Sequence, residues 1–149
     1  MAKTTELTTL RFLSPLHRAT RQIASFIDRT QPSRAGLKSN EAHLTSYLLS
    51  YAPCSVAELV EVFGFPPSTM TSLLDRLEKK KLISRQTHPE DRRSFMIGLT
   101  EKGITAAGGI RAELEKLEER VAKRVKKADI AGFNAVLTAI AGVTRPDKD

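Results

Sequence analysis

Two clusters of side chains in this chain are of types that bind rather than react. Ser68, Thr69, Thr71 and Ser72 crowd four hydroxyls into one short segment, with Arg76 and the run Lys79, Lys80, Lys81 just behind them. Further on, Asp91, Arg92 and Arg93 stand side by side. Hydroxyls donate to and accept from base edges, and long cations meet phosphates. A guanidinium, being a planar fork, can engage two oxygens at once. Reactive chemistry has no such cluster. There is no phosphate-binding glycine loop, no His-rich metal spacing and no Gly-flanked nucleophile, so the expectation is no enzyme, no metal and no cofactor. Cys54 is the sole cysteine, which excludes an internal disulfide or a thiolate cluster. It reads as a buried structural thiol, with a redox sensor as the alternative, because reactive thiols need an electropositive, exposed setting.

The elements that must position these groups follow from local pattern. Ser55 and Glu58 form a capping box, each side chain satisfying a free amide of the other residue, and open a short helix with Leu59, Val60 and Val62 as its apolar side. Gly64 breaks that helix. Pro67 then sits where a first turn tolerates proline, and Met70, Leu73, Leu74 and Leu77 recur at helical spacing as an inward stripe. Ser68, Thr69, Thr71, Ser72 and Arg76 are thereby predicted to face out. Such a face suits the DNA major groove; hydroxyls at a helix start are also ordinary caps, so a plain solvated face is the alternative. Residues 82–86 and 94–99 are β-prone runs flanking a turn-rich loop, Thr87 to Arg93. A hairpin directly after two such helices is a wing. Arginines at its tip can enter a narrow minor groove, whereas a charged tip alone also describes a solvated turn.

From about Leu37 to Gly103 these pieces resemble the winged-helix signature of the MarR family of bacterial transcription regulators. The resemblance lies in Ser68-Thr-Met-Thr-Ser-Leu-Leu-Asp-Arg-Leu-Glu-Lys-Lys, then Asp91-Arg-Arg, then Leu99-Thr-Glu-Lys-Gly103. It implies a mainly α fold with a small β-hairpin wing, flanked by N- and C-terminal dimerisation helices. It further implies a homodimer on double-stranded, pseudo-palindromic operator DNA, usually a repressor and often released by a small ligand or by oxidation. The expected DNA contacts are Pro67, Ser68, Thr69, Thr71, Ser72, Arg76, Lys80, Arg92 and Arg93. Asp75 and Asp91 are the expected wing braces; by the family's Asp-x-Arg pattern Arg93 is the braced arginine and Arg92 enters the groove. By the same resemblance, a small aromatic effector would lie near His17, Arg21, His43 and Tyr47. The chain departs from the family at three positions. Pro66 replaces a helix cap, Ser72 replaces a longer polar or basic side chain, and Lys81 replaces a left-handed glycine at a cost of roughly 1 kcal/mol. The reactive cysteine of peroxide-sensing relatives lies in the first long helix, where this chain has none. A winged-helix protein-interaction module without specific DNA reading is the alternative function.

The whole chain sets the frame. Its 149 residues suit a single domain, 1–149, with the winged helix-turn-helix at about 37–100 and dimerisation helices at about 5–30 and 101–142. Lys and Arg total 24 against 17 for Asp and Glu, a net charge of +7 that permits a polyanionic partner. No run reaches the roughly 18 apolar residues of a membrane span, and the N-terminus lacks a signal-peptide core, so no membrane contact and a cytoplasmic location are expected.

Ser14 and Pro15 are expected to open a first helix carrying Leu16, Ile23, Phe26 and Ile27 to about Asp28, with an upstream turn at Leu7, Leu10 and Leu13. Gln31 to Gly36 is a loop. Ser39 or Asn40 should cap a helix that ends near Tyr51 before Pro53, and a residue or two near Cys54 should pair with the wing. Thr100 caps the longest helix, predicted to reach about Lys126, with Ile110, Leu114, Leu117, Val121 and Val125 at near-heptad spacing. Gly108-Gly109 marks a bend or a close helix contact in it. A last helix starts near Asp129 and carries Ile130, Phe133, Val136, Leu137 and Ile140, followed by a polar tail. The terminal helices are too apolar for one subunit's core and read as a dimerisation layer, coiled-coil-like packing within one chain being the alternative.

Overall fold

The computed structural model describes residues 10–30 and 36–145. In chain order these form α1 (Leu13–Thr30), α2 (Ser39–Tyr51), β1 (Cys54–Ser55), α3 (Val56–Phe63), α4 (Pro67–Lys79), β2 (Ile83–Thr87), β3 (Phe95–Leu99), α5 (Glu101–Ala122) and α6 (Lys127–Thr144). The chain falls into two compact units, Met1–Ile110 and Arg111–Asp149.

In the first unit the apolar stripes become one core. Leu44 and Leu48 of α2, Leu59 of α3, Met70, Leu73, Leu74 and Leu77 of α4, and Leu82, Ile83 and Ile97 around the sheet are all buried. At roughly 1.5–3 kcal/mol for each such side chain, this cluster holds α4 in place. The strands form an antiparallel sheet in the order β1-β3-β2, with Cys54 opposite Ile97 and Arg85 also opposite Ile97 on the other side. The short pairing near Cys54 expected from sequence is therefore β1.

Local chemistry explains where the helices begin and end. The Glu58 amide donates to Ser55 Oγ at 3.1 Å and the Ser55 amide to a Glu58 carboxylate oxygen at 2.6 Å, which is the capping box. Gly64 ends α3 at φ 65° and Lys81 follows α4 at φ 59°, both in the left-handed region. Thr100 caps α5: its Oγ1 accepts the Gly103 amide at 3.0 Å and donates to the Lys81 carbonyl at 2.6 Å. Gly103 is required there, because a Cβ on it would lie 1.9 Å from the Leu82 carbonyl oxygen.

Several boundaries differ from expectation. Neither Ser39 nor Asn40 caps α2; Lys38 is the extended N-cap, and the Glu41 carboxylate three residues on accepts its amide at 3.3 Å. Ser14 is not the cap of α1 but lies inside it, since the Leu16 amide already bonds the Phe12 carbonyl at 2.9 Å. The helix runs on to Thr30, whose hydroxyl bonds back to the Phe26 carbonyl. The proposed turn at Leu7 and most of the Gln31–Gly36 loop lie outside the described residues.

Helix α5 stops at Ala122 rather than Lys126. Lys123, Arg124, Lys126 and Lys127 would stack like charges along a continued helix, and the Asp129 carboxylate captures the Lys126 amide at 2.7 Å to start α6 instead. The helix is continuous through Gly108, where an added Cβ would meet nothing within 4 Å, so the expected close contact is not made at that residue among the described ones. In the second unit α6 buries none of its residues, leaving Ile130, Phe133, Val136 and Leu137 exposed.

Candidate nucleic-acid interface

Burial of the four-residue stripe turns the opposite side of α4 outward. Ser68, Thr69, Thr71, Ser72, Asp75 and Arg76 are all exposed. Pro66, in the capping position, makes no side-chain hydrogen bond, and Pro67 occupies the first turn. The amides of Ser68 and Thr69 thus lack intrahelical acceptors, as first-turn amides do. The hydroxyls differ in what they have left to offer. Thr71 Oγ1 donates to the Pro67 carbonyl at 2.9 Å, so it can only accept from a base and present its methyl group. Ser68, Thr69 and Ser72 make no side-chain bond among the described residues and keep both functions.

The long cations behind them are tied back. Arg76 Nε donates to Glu41 Oε1 at 2.8 Å, and Lys80 Nζ donates to Glu41 Oε2 at 2.6 Å and to the Gly36 carbonyl at 3.1 Å. Glu41 is 1% exposed, whereas the Arg76 side chain is 52% exposed and that of Lys80 31%. Burial pushes the Glu41 carboxyl up, but bonds from Lys80, Arg76 and the Lys38 amide outweigh it and hold the group below its ordinary range. Lys80, expected from sequence to touch DNA, gives two of its three ammonium protons to groups of the protein itself.

The wing is braced by a residue the sequence did not single out. Asp75 pairs with Arg85 of β2, not with Arg93, and Glu78 lies 3.0 Å from the same guanidinium as an ion pair without hydrogen-bond alignment at Nε. Asp91 does brace, but through main chain: its carboxylate accepts the Arg93 amide at 3.0 Å, while its carbonyl accepts the Ser94 amide. The expected guanidinium brace at Arg93 is therefore replaced by Arg85. Among the described residues neither Arg92 nor Arg93 forms an ion pair, and both are exposed at the hairpin tip. One signal could have revealed Arg85. Strand alternation places it on the same face as buried Ile83, and an inward-facing charge demands a partner.

Of the four expected effector residues, His17 and Arg21 line one groove that His43 and Tyr47 do not line. His17 and Arg21 lie together on an open groove along α1 with Leu10 and Leu13, Arg21 Nε donating to His17 Nε2 at 3.3 Å. His43 is half-buried; burial lowers its pKa against the opposing charge of Asp28. Tyr47 instead stacks on Tyr51, centroids 4.4 Å apart, and meets the ring of Phe63 edge-on. A second groove unanticipated from sequence lies among Leu48, Pro53, Met96, Leu99 and Ile104. Cys54 is buried, its Sγ donates to the Tyr51 carbonyl, and burial with the Glu58 charge pushes its thiol pKa up, as a structural thiol requires. Among the described residues no helix is long and apolar enough to cross a membrane, and no three His, Cys, Asp or Glu side chains could hold a metal together.

A capped helix, a tight turn, a second helix with an outward polar face and a braced hairpin define a winged helix-turn-helix. Residues 37–95, which hold this winged helix-turn-helix, match the MarR family. It is 31% identical over 105 residues to the HTH-type transcriptional repressor MdtR of Bacillus subtilis (strain 168), covering 70% of this chain and 60% of that protein. The chain spans 60% and 61% of the length of the two curated relatives compared. Among solved structures, MepR of S. aureus in its DNA complex superposes with a TM-score of 0.80 at 19% identity, covering 92% of this chain and 100% of that one. A MarR protein from Peptoclostridium difficile gives 0.82 at 13% identity, covering 95% and 92%. At these identities the structural likeness concerns the fold.

Proposed function

We propose that this protein is a sequence-specific, DNA-binding transcriptional regulator of the repressor type that acts as a homodimer on a pseudo-palindromic operator. The observation that carries it is the outward face of α4: Ser68, Thr69 and Ser72 keep unspent hydroxyls beside unpaired amides, over a core that fixes the helix rigidly. Pro67, Thr71 and Arg76 complete the major-groove set, and Arg92 and Arg93 at the wing tip take the minor groove and its phosphates. A net charge of +7 favours the polyanion. The name of the Bacillus subtilis relative as a repressor and the DNA-bound state of the MepR structure support the same reading.

The 1–149 chain acts in this proposal as one MarR-like domain whose terminal helices dimerise. Support comes from exposed Ile130, Phe133, Val136 and Leu137 on α6, and separately from exposed Leu13 and Ile23 on α1, each a surface suited to a second copy. Two-fold symmetry then spaces half-site centres by one helical turn, about 10 bp. A small aromatic effector is the proposed release signal, with Arg21 as its cationic contact and the His17 ring beside it.

Selection from random duplex by the purified protein tests the whole. A two-fold-symmetric consensus, with scattering giving twice 16.5 kDa, is the expected result. A monomer without sequence preference refutes it and leaves a winged-helix module that binds a protein. A thermal-shift screen of aromatic acids tests the effector separately: no stabilisation by any, with DNA binding intact, removes that part.

A further inference from the structure

Helix α4 and the residue that ends it carry two cations one turn apart, Arg76 and Lys80, and both converge on one buried carboxylate from α2. The two cations are not treated alike. Arg76 spends only Nε on Glu41, and its half-exposed guanidinium keeps both terminal nitrogens unbonded among the described residues. Lys80 gives two of its three protons to Glu41 and to the Gly36 carbonyl, and it is the less exposed side chain. A guanidinium held at Nε has its plane fixed, so its remaining edge is a ready fork for one phosphate.

Resting on the DNA-binding reading above, we infer that Glu41 is a positioning residue for the DNA contact: it presets the outer edge of Arg76 for a phosphate and withholds Lys80 from the DNA. Specific binding gains, because the phosphate contact that sets register is ordered before DNA arrives. Nonspecific binding is restrained, because a flexible ammonium that would meet any phosphate is kept occupied. The sequence spacing of Arg76 and Lys80 suggests two DNA contacts; the geometry leaves one.

The experiment measures affinity for the selected operator and for a scrambled duplex across a salt series, for the wild-type protein, Glu41→Met, Lys80→Met and the double variant. Methionine keeps the volume at position 41 and frees both half-exposed cations to reach water. Glu41→Met is expected to bind the operator on the order of tenfold more weakly, the scale of one charge-assisted hydrogen bond. Its scrambled-duplex affinity should rise, with a log–log salt slope steeper by about 0.9 as Lys80 neutralises one more phosphate. Lys80→Met should leave the wild-type slope unchanged. The double variant should recover that slope but not the operator affinity.

A slope flattened by about 0.9 in Lys80→Met would overturn the inference, since Lys80 would then contact DNA in the native protein. So would a folded Glu41→Met with undiminished operator affinity. If Glu41→Met does not fold, the Lys80→Met slope decides. Wild-type protein without sequence preference would instead refute the regulator reading itself, whereas a selective wild type with insensitive variants refutes only the role of Glu41.

Discussion

Replacing Arg85 by Met separates the wing's brace from its DNA contacts. Arg85 is 22% exposed, while its partners Asp75 and Glu78 are 59% and 49% exposed, so both carboxylates can return to water when the guanidinium is removed. No buried charge is orphaned. Each exposed pair is worth about 0–1 kcal/mol, which puts the loss of stability near 1 kcal/mol for the two. For a chain of this size that corresponds to a fall in Tm of about 2–4 °C. The effect on DNA binding should be larger in proportion. A hairpin no longer held to α4 presents Arg92 and Arg93 over a range of angles, and losing one charge-assisted contact costs on the order of tenfold in operator affinity. Arg85→Lys should fall between, because an ammonium cannot span both carboxylates as a fork does.

Circular-dichroism melts and operator titrations of Arg85→Met, Arg85→Lys and Arg93→Lys decide the matter, with a double-mutant cycle through Asp75→Asn to isolate the pair. Arg93→Lys should leave Tm unchanged, since Asp91 holds the main-chain amide of Arg93 and not its guanidinium. If Arg93→Lys lowers Tm and Arg85→Met does not, the brace has been assigned to the wrong arginine. Zero coupling between Asp75 and Arg85 would also refute the reasoning.

Three further outcomes follow from particular contacts. Gly103→Ala should destabilise by more than about 3 kcal/mol, the range of a backbone clash with no escape, because its Cβ would sit 1.9 Å from the Leu82 carbonyl; a near-native denaturation midpoint would contradict this. Lys81→Gly should raise stability by up to about 1 kcal/mol by relieving a left-handed non-glycine residue, measured by the urea midpoint, and a lower midpoint would show that Lys81 carries unseen contacts. His43, whose folded-state pKa is depressed by burial, binds protons more readily in the unfolded chain. Stability should therefore be full above its ordinary value near 6.5 and decline as pH falls below it, and His43→Gln should flatten the Tm profile between about pH 7 and 5; identical profiles would remove His43 as the cause.

What the sequence determined by itself was whatever depends on neighbours within a turn of chain. The capping box of Ser55 and Glu58, the break at Gly64, the proline start at Pro67 and the buried stripe from Met70 to Leu77 all rest on residue types and spacings within a turn or two of chain. A dihedral preference or a helical period acts at that range, so these features are legible without a fold. The outward hydroxyls of α4 follow from the same period. Where a nearby competitor exists, even local structure departs from the simple pattern: Glu41 rather than Ser39 or Asn40 satisfies the start of α2, and Asp129 together with a run of like charges ends α5 early.

Only the tertiary structure decided who pairs with whom. Arg76 and Lys80 meet Glu41 across 35 and 39 residues of chain, and Asp75 chooses Arg85 rather than Arg93. His17 and Arg21 share one groove while Tyr47 turns to Tyr51 and Phe63. Ion pairs and ring contacts act over a few ångströms, and which groups come that close depends on helix crossings and strand register. A one-residue change in register would turn Arg85 to the other face of the sheet, so charge patterns can nominate candidates for these pairs but cannot choose among them.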